Sequence, residues 1–462
     1  MTASAIRDLC RVPASVVDAA PAGTRYARLL PDLPPLVMDE ETLRALGDTG
    51  GMCDGGPVAL LTAGPEDGAE AAGWPFFGQF VAHDITADRS PLGTRADLSG
   101  LRNAHSPCIN LEALYGAGPV GTPYLFDRQD PPKLLLSPSG TDVTRNAQGT
   151  AVIGDPRNDV HLFVNQLHVA FLHAHNALVD RLRADGVTEE DLYPAARRAL
   201  RWHYQYLIVN DFLPRLVGGD VVTELLRDGP QLFDPPPGAV YLPLEFAHAV
   251  YRYGHGQIRH LYRIRTGGPQ YPLLPDLMGF GPVSAEHAVD WAQLFDFPGA
   301  APAQRAKKMD GRLPASLIGL PHEVTGNVPV AAYRSLAVRD LERGVAAGLP
   351  SGEAVAQALG VDPLTPAETG IPGAVGGTPL WFYILKEAQH RADGDRLGPV
   401  GGRIVAEVLV GLVRADADSY LSVDAGWRPT LPSAGPDRYT LADLLTFACR
   451  GATVAGSTGH EG

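Results

Sequence analysis

A glutamine and a histidine stand four residues apart in the apolar segment FFGQFVAHDI, residues 76–85. Residues four apart share one face of a helix, so Gln79 and His83 are expected to point the same way. Buried polar groups need partners, and a histidine in such a place is more often a satisfied structural group. It is also the side chain whose proton affinity suits proton transfer near neutral pH. Asp84 points elsewhere on this helix and could serve a different site.

An arginine follows a turn in the segment IGDPRND, residues 153–159. The sequence Gly-Asp-Pro is typical of a turn, and Asn158 or Asp159 is a suitable N-cap for the helix that follows. Arg157 therefore projects from a fixed point, either as a surface charge or as part of a site. The next helix carries His168, His173 and His175. These lack a carboxylate at metalloprotease spacing, so we expect packing rather than a metal cluster.

The remaining pattern predicts a mostly helical protein with long loops and only weak, short strand signals. Residues 1–73 are predicted to be an arm of loops packing on a single domain at 74–462. Turn clusters such as SPLGT interrupt residues 87–150. Helical periodicity and stop signals predict helices at 74–86, 159–184, 189–216, 244–258, 285–294, 329–347, 351–359, 378–392, 396–416 and 440–449.

Composition excludes several classes of protein. The chain has 462 residues, 45% hydrophobic, with a formal net charge of −14, which argues against a nucleic-acid surface. No apolar run is long enough to span a membrane, and the first residues do not resemble a signal peptide. The four cysteines, Cys10, Cys53, Cys108 and Cys449, form no CxxC pair. We therefore expect a cytoplasmic protein without disulfides.

The segment FGQFVAHDI closely resembles the distal-helix signature of the peroxidase–cyclooxygenase superfamily, which includes the animal haem peroxidases. The resemblance implies that Gln79 binds water above a haem. It implies that His83 takes a proton from hydrogen peroxide and returns it to the leaving oxygen, tasks that suit a neutral imidazole. GDPRND with the following QLH, FL and HN resembles the family's second signature. Arg157 would then polarise the O–O bond.

The segment FAHAVYRYGH, residues 246–255, resembles the family's proximal helix. The resemblance makes His255 the axial ligand of the haem iron and Arg252 the partner of a haem propionate. Gly254 would let a flat macrocycle approach closely. The family supplies an Asn as acceptor for the second N–H of the ligand, and the matching residue here is Asp340. A carboxylate accepts more strongly and is expected to lower the iron reduction potential.

Two departures bear on how the haem is held and used. Many animal members attach it through two carboxylates, and those positions are Ala82 and Val160 here. Neither side chain can form an ester, which predicts non-covalently bound haem b. The cyclooxygenase and dioxygenase branches need a radical-forming Tyr where this chain has Arg252. Tyr251 and Tyr253 flank it but are expected to face other directions, which favours a peroxidase.

The family's calcium loop matches the segment SPCINLE, residues 106–112. The resemblance predicts a calcium shell from the side chains of Ser106, Asn110, Glu112 and Asp84 with the Cys108 carbonyl, because oxygen ligands suit this hard cation. Asn110 stands where an Asp is usual. The alternative is an acidic loop that caps Asp84 without metal.

These signatures, spread over residues 74–416, predict a haem peroxidase that reduces hydrogen peroxide through a ferryl intermediate. It would oxidise a small organic or halide donor. The stretches TPLWFY and LGPVGGR, residues 378–383 and 397–403, resemble bacterial members. The alternatives are a haem oxidase or oxygenase of a dedicated biosynthetic small molecule and a non-catalytic haem-binding protein. Intact Gln79, His83 and Arg157 favour catalysis. The sequence leaves the donor and the oligomeric state open.

Overall fold

The computed structural model describes residues 26–56, 67–87, 103–236, 239–371, 376–436 and 438–457. Its helices of five or more residues are α1 (Glu40–Gly47), α2 (Trp74–Ile85), α3 (Leu162–Ala184), α4 (Glu189–Leu207), α5 (Leu213–Val217), α6 (Gly219–Asp228), α7 (Leu244–His248), α8 (Leu336–Ala346), α9 (Gly352–Ala358), α10 (Leu380–Ala392), α11 (Pro399–Ala415) and α12 (Leu441–Ser457). Single α-helical turns lie at Glu112–Tyr115, Gly118–Gly121, Ala315–Ile318, His322–Thr325, Pro366–Thr369 and Tyr420–Val423. Turns of 3-10 helix lie at Pro123–Leu125, Pro156–Asp159, Val250–Gln257, Ala285–His287, Trp291–Gln293 and Ala331–Arg334.

Strands are few and short across the described ranges, which confirms the prediction of a mainly helical protein. Strand β1 (Tyr26–Ala27) pairs in parallel with β3 (Leu242–Pro243). Strand β2 (Asp67–Ala71) pairs with β6 (Arg305–Lys307), and β4 (Leu261–Arg263) pairs with β5 (Gln270–Pro272), both antiparallel. These two-stranded pairs connect loops that are distant in sequence and do not form an extended sheet.

Helix α3 lies at the centre of the core, packed against α2, α4 and α12. It is buried on nearly every face over its first four turns, as expected for a helix surrounded by others. The ring of Phe80 on α2 stacks on Phe171 of α3 at 4.8 Å, and Tyr204 of α4 meets Phe171 edge-on at 5.5 Å. This aromatic contact fixes α2 beside α3.

The predicted helix at 189–216 is present as α4 and α5, joined by one π-helical turn at Ile208–Phe212. The prediction of one continuous helix at 244–258 is wrong. Helix α7 ends at His248, Ala249 leaves the helical region with φ −137° and ψ −72°, and Val250–Gln257 winds as 3-10 helix. Glycine and aromatic residues here have low helix propensity, so tertiary contacts decide the backbone.

The predicted helix at 285–294 was also wrong, since only two short 3-10 turns form there. The described part of residues 1–73 is not only loop: it contains α1 and β2. Asp39 caps α1 by accepting the backbone N–H of Thr42, and α1 packs against α8. Residues 1–25, Cys10 and the turn cluster SPLGT lie outside the described residues.

Cys53, Cys108 and Cys449 are free thiols in the structure. Among the residues that the structure describes, no helix has the length and apolar character needed to cross a membrane.

Candidate active site

Helix α2 is buried on most of its surface but keeps one open side. Gln79 and Ala82, three residues apart, are partly exposed, whereas the aromatic residues around them are buried. His83 lies beside them with 8% of its surface exposed. Residues three and four apart share a helix face, so the open side presents Gln79, Ala82 and His83 together.

The imidazole of His83 belongs to a buried chain of hydrogen bonds. Its Nδ1 lies 2.8 Å from Oδ1 of Asn158, and Nδ2 of Asn158 lies 3.1 Å from Nδ1 of His168. The amide nitrogen can only donate, so Nδ1 of His168 accepts. The amide oxygen can only accept, so Nδ1–H of His83 donates. Neutral His83 therefore carries its lone pair on Nε2, the nitrogen that remains for a reacting molecule.

Burial and the positive charge of Arg157 together lower the pKa of His83 to about 3, despite the raising influence of Asp155 and Asn158. Burial likewise lowers the pKa of His168 to about 4. Both rings are neutral near pH 7. His83 therefore has the protonation state that a general base requires.

The segment that carries Asn158 is fixed from two sides. Arg145 holds the carboxylate of Asp159 with two 2.7 Å bonds, one from each terminal nitrogen. The backbone N–H groups of Gly279 and Phe280 donate to the carbonyls of Val160 and Asp159 at 3.0 Å. A Cβ on Gly279 would lie 1.8 Å from the Asp159 carbonyl oxygen, so only glycine permits this approach.

Arg157 lies at the C-terminal end of α2. Its guanidinium donates to the backbone carbonyls of His83, at 3.0 Å, and of Thr86, and pairs with Asp155 at 2.6 Å. A cation at a helix C-terminus satisfies carbonyls that have no partner in the helix. The structure thus brings Arg157 and His83 together through the backbone of α2. Polarisation of an O–O bond by Arg157 stays a prediction.

A buried imidazole links this arginine to the predicted calcium loop. Nε2 of His105 lies 2.8 Å from Asp155, and its Nδ1 lies 3.5 Å from Glu112. Burial disfavours the charged ring, but the two carboxylates outweigh it and raise the pKa of His105 to about 9. The loop and the Asp155–Arg157 pair are therefore joined by a charged histidine.

Four of the five predicted calcium ligands, Asp84, Ser106, Asn110 and Glu112, are joined by hydrogen bonds. Asp84 Oδ2 accepts the backbone N–H groups of Asn110 (3.1 Å) and Leu111 (2.9 Å). Glu112 accepts from the Ser106 amide at 3.1 Å, and its own amide donates to Asn110. No group of three or more His, Cys, Asp or Glu that could hold a metal occurs in the described ranges. These contacts hold the loop against Asp84, and both a calcium shell and a cap without metal stay predictions.

His255, on the 3-10 segment that packs against α2, is in direct contact with Asp340. Nδ1 of His255 lies 2.6 Å from Oδ2 of Asp340, and Nη1 of Arg252 lies 3.2 Å from Oδ1. Residues three apart eclipse one another in 3-10 helix, so Arg252 and His255 reach the same carboxylate. Burial would raise the pKa of Asp340, but the hydrogen bond from His255 and the charge of Arg252 outweigh it and lower the pKa.

Asp340 is placed by α8, which packs against α1, α7 and α10. Ser335 caps α8 by accepting the Val338 N–H at 3.3 Å, and its hydroxyl donates to the Gly47 carbonyl at 2.6 Å. A Cβ on Gly47 would lie 2.7 Å from the Val338 nitrogen. The N-terminal segment thus helps to position the partner of His255.

The residues present fit a haem. The Asp340 carboxylate can only accept, so His255 donates through Nδ1 and keeps its lone pair on Nε2, the form that ligates iron. The His255 side chain is 30% exposed although both neighbouring tyrosines are buried. Helix α2 and the 3-10 segment that carries Arg252, Gly254 and His255 pack against each other. Acceptor lone pairs thus occur on both elements.

The flanking tyrosines point into the protein. The ring of Tyr251 stacks on Phe246 at 4.5 Å, and Tyr253 meets Tyr251 edge-on at 5.9 Å. A Cβ on Gly78 of α2 would lie 3.0 Å from the Tyr253 hydroxyl. Both tyrosines are buried, whereas Arg252 is partly exposed.

Sequence reasoning missed two residues of this site, Asn158 and His161. Asn158 was considered only as a helix cap, and His161 was given no role. Nε2 of His161 lies 2.8 Å from Oε1 of Gln79. The signal for both is their position, because they lie within four residues after Arg157. His173 and His175 bond backbone carbonyls of Gly140 and Pro132, as packing residues do.

Comparison with known proteins finds similarity to haem peroxidases. Residues 122–277 match the animal haem peroxidase family model. This region includes Arg157, Arg252 and His255. The chain is 32% identical over 120 residues to a chorion peroxidase of Aedes aegypti and 30% identical over 121 residues to a peroxidase-like protein of Margaritifera margaritifera. Each alignment spans about a quarter of this chain and 15% of the relative.

The fold is shared more widely than the sequence. Peroxidase A from Dictyostelium discoideum superposes with a TM-score of 0.67 at 14% identity over 94% of both chains. A fatty acid alpha-dioxygenase from Arabidopsis thaliana gives 0.61 at 15% identity over 92% of this chain and 76% of that one. The resemblance stated from the sequence is confirmed: the chain is similar to the animal haem peroxidase family over residues 122–277, and it has the helical fold of these solved structures.

Proposed function

We propose that the protein is a haem peroxidase that reduces hydrogen peroxide and oxidises a small organic or halide donor. The observation that carries this proposal is the chain from His83 through Asn158 to His168. It leaves a neutral His83 with its lone pair on Nε2 on the open side of α2, while His255 keeps its own lone pair on the neighbouring 3-10 segment.

In the proposed mechanism, haem held by His255 supplies the redox chemistry of iron when it is bound. Nε2 of His83 accepts the proton of peroxide and returns it to the leaving oxygen. Asn158 holds the His83 ring in the tautomer that can accept. The positive charge of Arg157 disfavours protonated His83, so that the proton passes readily to the oxygen on which negative charge develops.

Non-covalent haem b is part of the proposal. Ala82 and Val160 stand at the family's two attachment positions, and neither side chain can form an ester. Both are partly exposed. Acidic organic solvent should extract the pigment completely, and pigment left on the protein would contradict non-covalent binding.

The direct test is stopped-flow mixing of the haem-loaded protein with peroxide. His83→Ala should slow the first spectral change by about 10²- to 10⁴-fold, the scale of a lost proton carrier. His173→Ala is the matched control, because His173 is a histidine of α3 that bonds the Gly140 carbonyl outside the site. A wild-type spectrum that does not respond to peroxide, or a His83→Ala rate equal to that of the wild type, would refute the proposal.

A haem oxygenase for a dedicated small molecule is the second candidate, and the shared fold of the dioxygenase favours considering it. Arg252 in place of a radical-forming Tyr, with Tyr251 and Tyr253 packed inward, supports the peroxidase. Stoichiometric oxygen consumption without added peroxide would identify the oxygenase. A haem protein that reacts with neither oxidant would be the non-catalytic alternative.

Calcium and the cytoplasmic location stay predictions. Metal analysis of the purified protein before and after chelation would test calcium at Asp84 and residues 106–112. One ion per chain, whose removal lowers thermal stability, would support it. Fractionation of the producing cells would test the location.

A further inference from the structure

The imidazole of His161 connects the start of α3 to the open side of α2. His161 is the N-cap of α3: its Nδ1 accepts the backbone N–H of Val164 at 3.4 Å. Its Nε2 lies 2.8 Å from Oε1 of Gln79, and the ring meets Phe76 edge-on at 5.2 Å. Only 6% of the residue is exposed.

The two contacts determine the tautomer. A backbone N–H can only donate, so Nδ1 of His161 carries a lone pair. The proton of the neutral ring is then on Nε2, and Nε2–H donates to Gln79. Protonation would remove the acceptor of the helix cap. Burial also lowers the pKa of His161 to about 3, which agrees with a neutral ring.

This bond decides which end of the Gln79 amide faces outward. Oε1 is engaged by His161, so the NH₂ group, which has two donors, is the part of the partly exposed Gln79 amide that is left for a ligand. His83, on the same side, offers the lone pair of Nε2. One donor and one acceptor therefore stand next to each other, an arrangement that suits a small ligand such as peroxide, which accepts one hydrogen bond while losing a proton.

We propose that His161 is a positioning residue that holds Gln79 as a hydrogen-bond donor toward the ligand of the haem. The inference rests on the proposed function for the identity of that ligand. The ring itself is held in place because strand-like backbone bonds fix the preceding residues, Asp159 and Val160, against Gly279 and Phe280. A purely structural His161 would cap α3 and pack on Phe76 without affecting a ligand.

The variant His161→Asn separates the two roles. Asparagine is a good N-cap and can keep the bond to Val164, but its shorter side chain cannot reach Gln79. Fluoride is the probe, because this anion accepts hydrogen bonds and carries no proton of its own. Its dissociation constant is measured on ferric haem-loaded protein at pH 7 for His161→Asn, Gln79→Leu and the double variant, with the wild type as reference.

If His161 acts through Gln79, His161→Asn should weaken fluoride binding about fivefold, the scale of one hydrogen bond. In the Gln79→Leu background the same substitution should change nothing, because the group it positions is gone. Unchanged affinity in the His161→Asn variant, or an equal loss in both backgrounds, would overturn the inference.

The haem-free protein gives an independent readout. Nitrogen-15 spectra of histidine-labelled protein, assigned by the signal missing in His161→Asn, should show the proton of His161 on Nε2 and a bare Nδ1. A proton on Nδ1 would overturn the inference. A protein that passes both tests but does not react with peroxide would lose the proposed function and keep the role of His161.

Discussion

Replacing Asn158 with leucine removes the amide between His83 and His168 with little change in side-chain volume. In the wild type, the amide oxygen accepts Nδ1–H of His83 at 2.8 Å. In the variant this buried donor has no partner, so the tautomer with the proton on Nε2 becomes the more stable one. That tautomer cannot accept a proton from peroxide, although His83 is still present.

The size of the effect follows from the cost of a buried donor without a partner, about 1–3 kcal/mol. With 1.36 kcal/mol for each factor of ten, the population of the competent tautomer falls roughly fivefold to 150-fold. Asn158→Leu should therefore slow the peroxide reaction by that factor, less than His83→Ala does. His168→Leu should give a smaller loss, because the amide oxygen stays but its orientation is no longer fixed.

The assay is stopped-flow mixing with peroxide, together with the association rate of cyanide, which also needs a base to take up a proton. Asn176→Leu is the matched control: Asn176 lies on α3 and bonds the backbone of Leu134. It should lower stability and leave both rates unchanged. A folded, haem-loaded Asn158→Leu protein that reacts within twofold of the wild type would refute the tautomer argument.

Three further predictions concern the contact between His255 and Asp340 and the stability of the fold. Asp340→Asn should raise the iron reduction potential in spectroelectrochemical titration, since the amide accepts the His255 N–H more weakly; an unchanged potential contradicts this. Burial raises the pKa of Glu387 to about 7, despite bonds from the Val400 and Gly401 amides, so its contribution to stability is complete below pH 4.5 and is lost as the pH rises through 7. In urea unfolding, this group should cost the wild type roughly 3 kcal/mol of unfolding free energy as the pH rises, and Glu387→Gln should not show that loss. The same dependence on pH in both proteins would refute the prediction. Gly279→Ala should lower the unfolding free energy by at least about 2 kcal/mol because its Cβ meets the Asp159 carbonyl, and an unchanged denaturation midpoint would count against it.

The patterns that were predicted well are local. The spacing of Gln79 and His83 needs only the α-helical period, and α2 has the predicted extent to within one residue. The ends of α5 and α10 follow from glycine and turn residues. The prediction of one continuous helix at 244–258 is wrong because the local sequence does not show the tertiary contacts that wind residues 250–257 more tightly.

Within the site, the sequence determined which residues can react and which helix faces they occupy, because side-chain chemistry and helical spacing are properties of short segments. Only the tertiary structure decided how these groups are held. Asn158 and His161 lie 75 and 82 residues from their partners His83 and Gln79. Their contacts exist because a short turn is fixed against Gly279, and no periodicity in the chain encodes that approach. The tautomers that follow from these contacts are therefore properties of the folded chain.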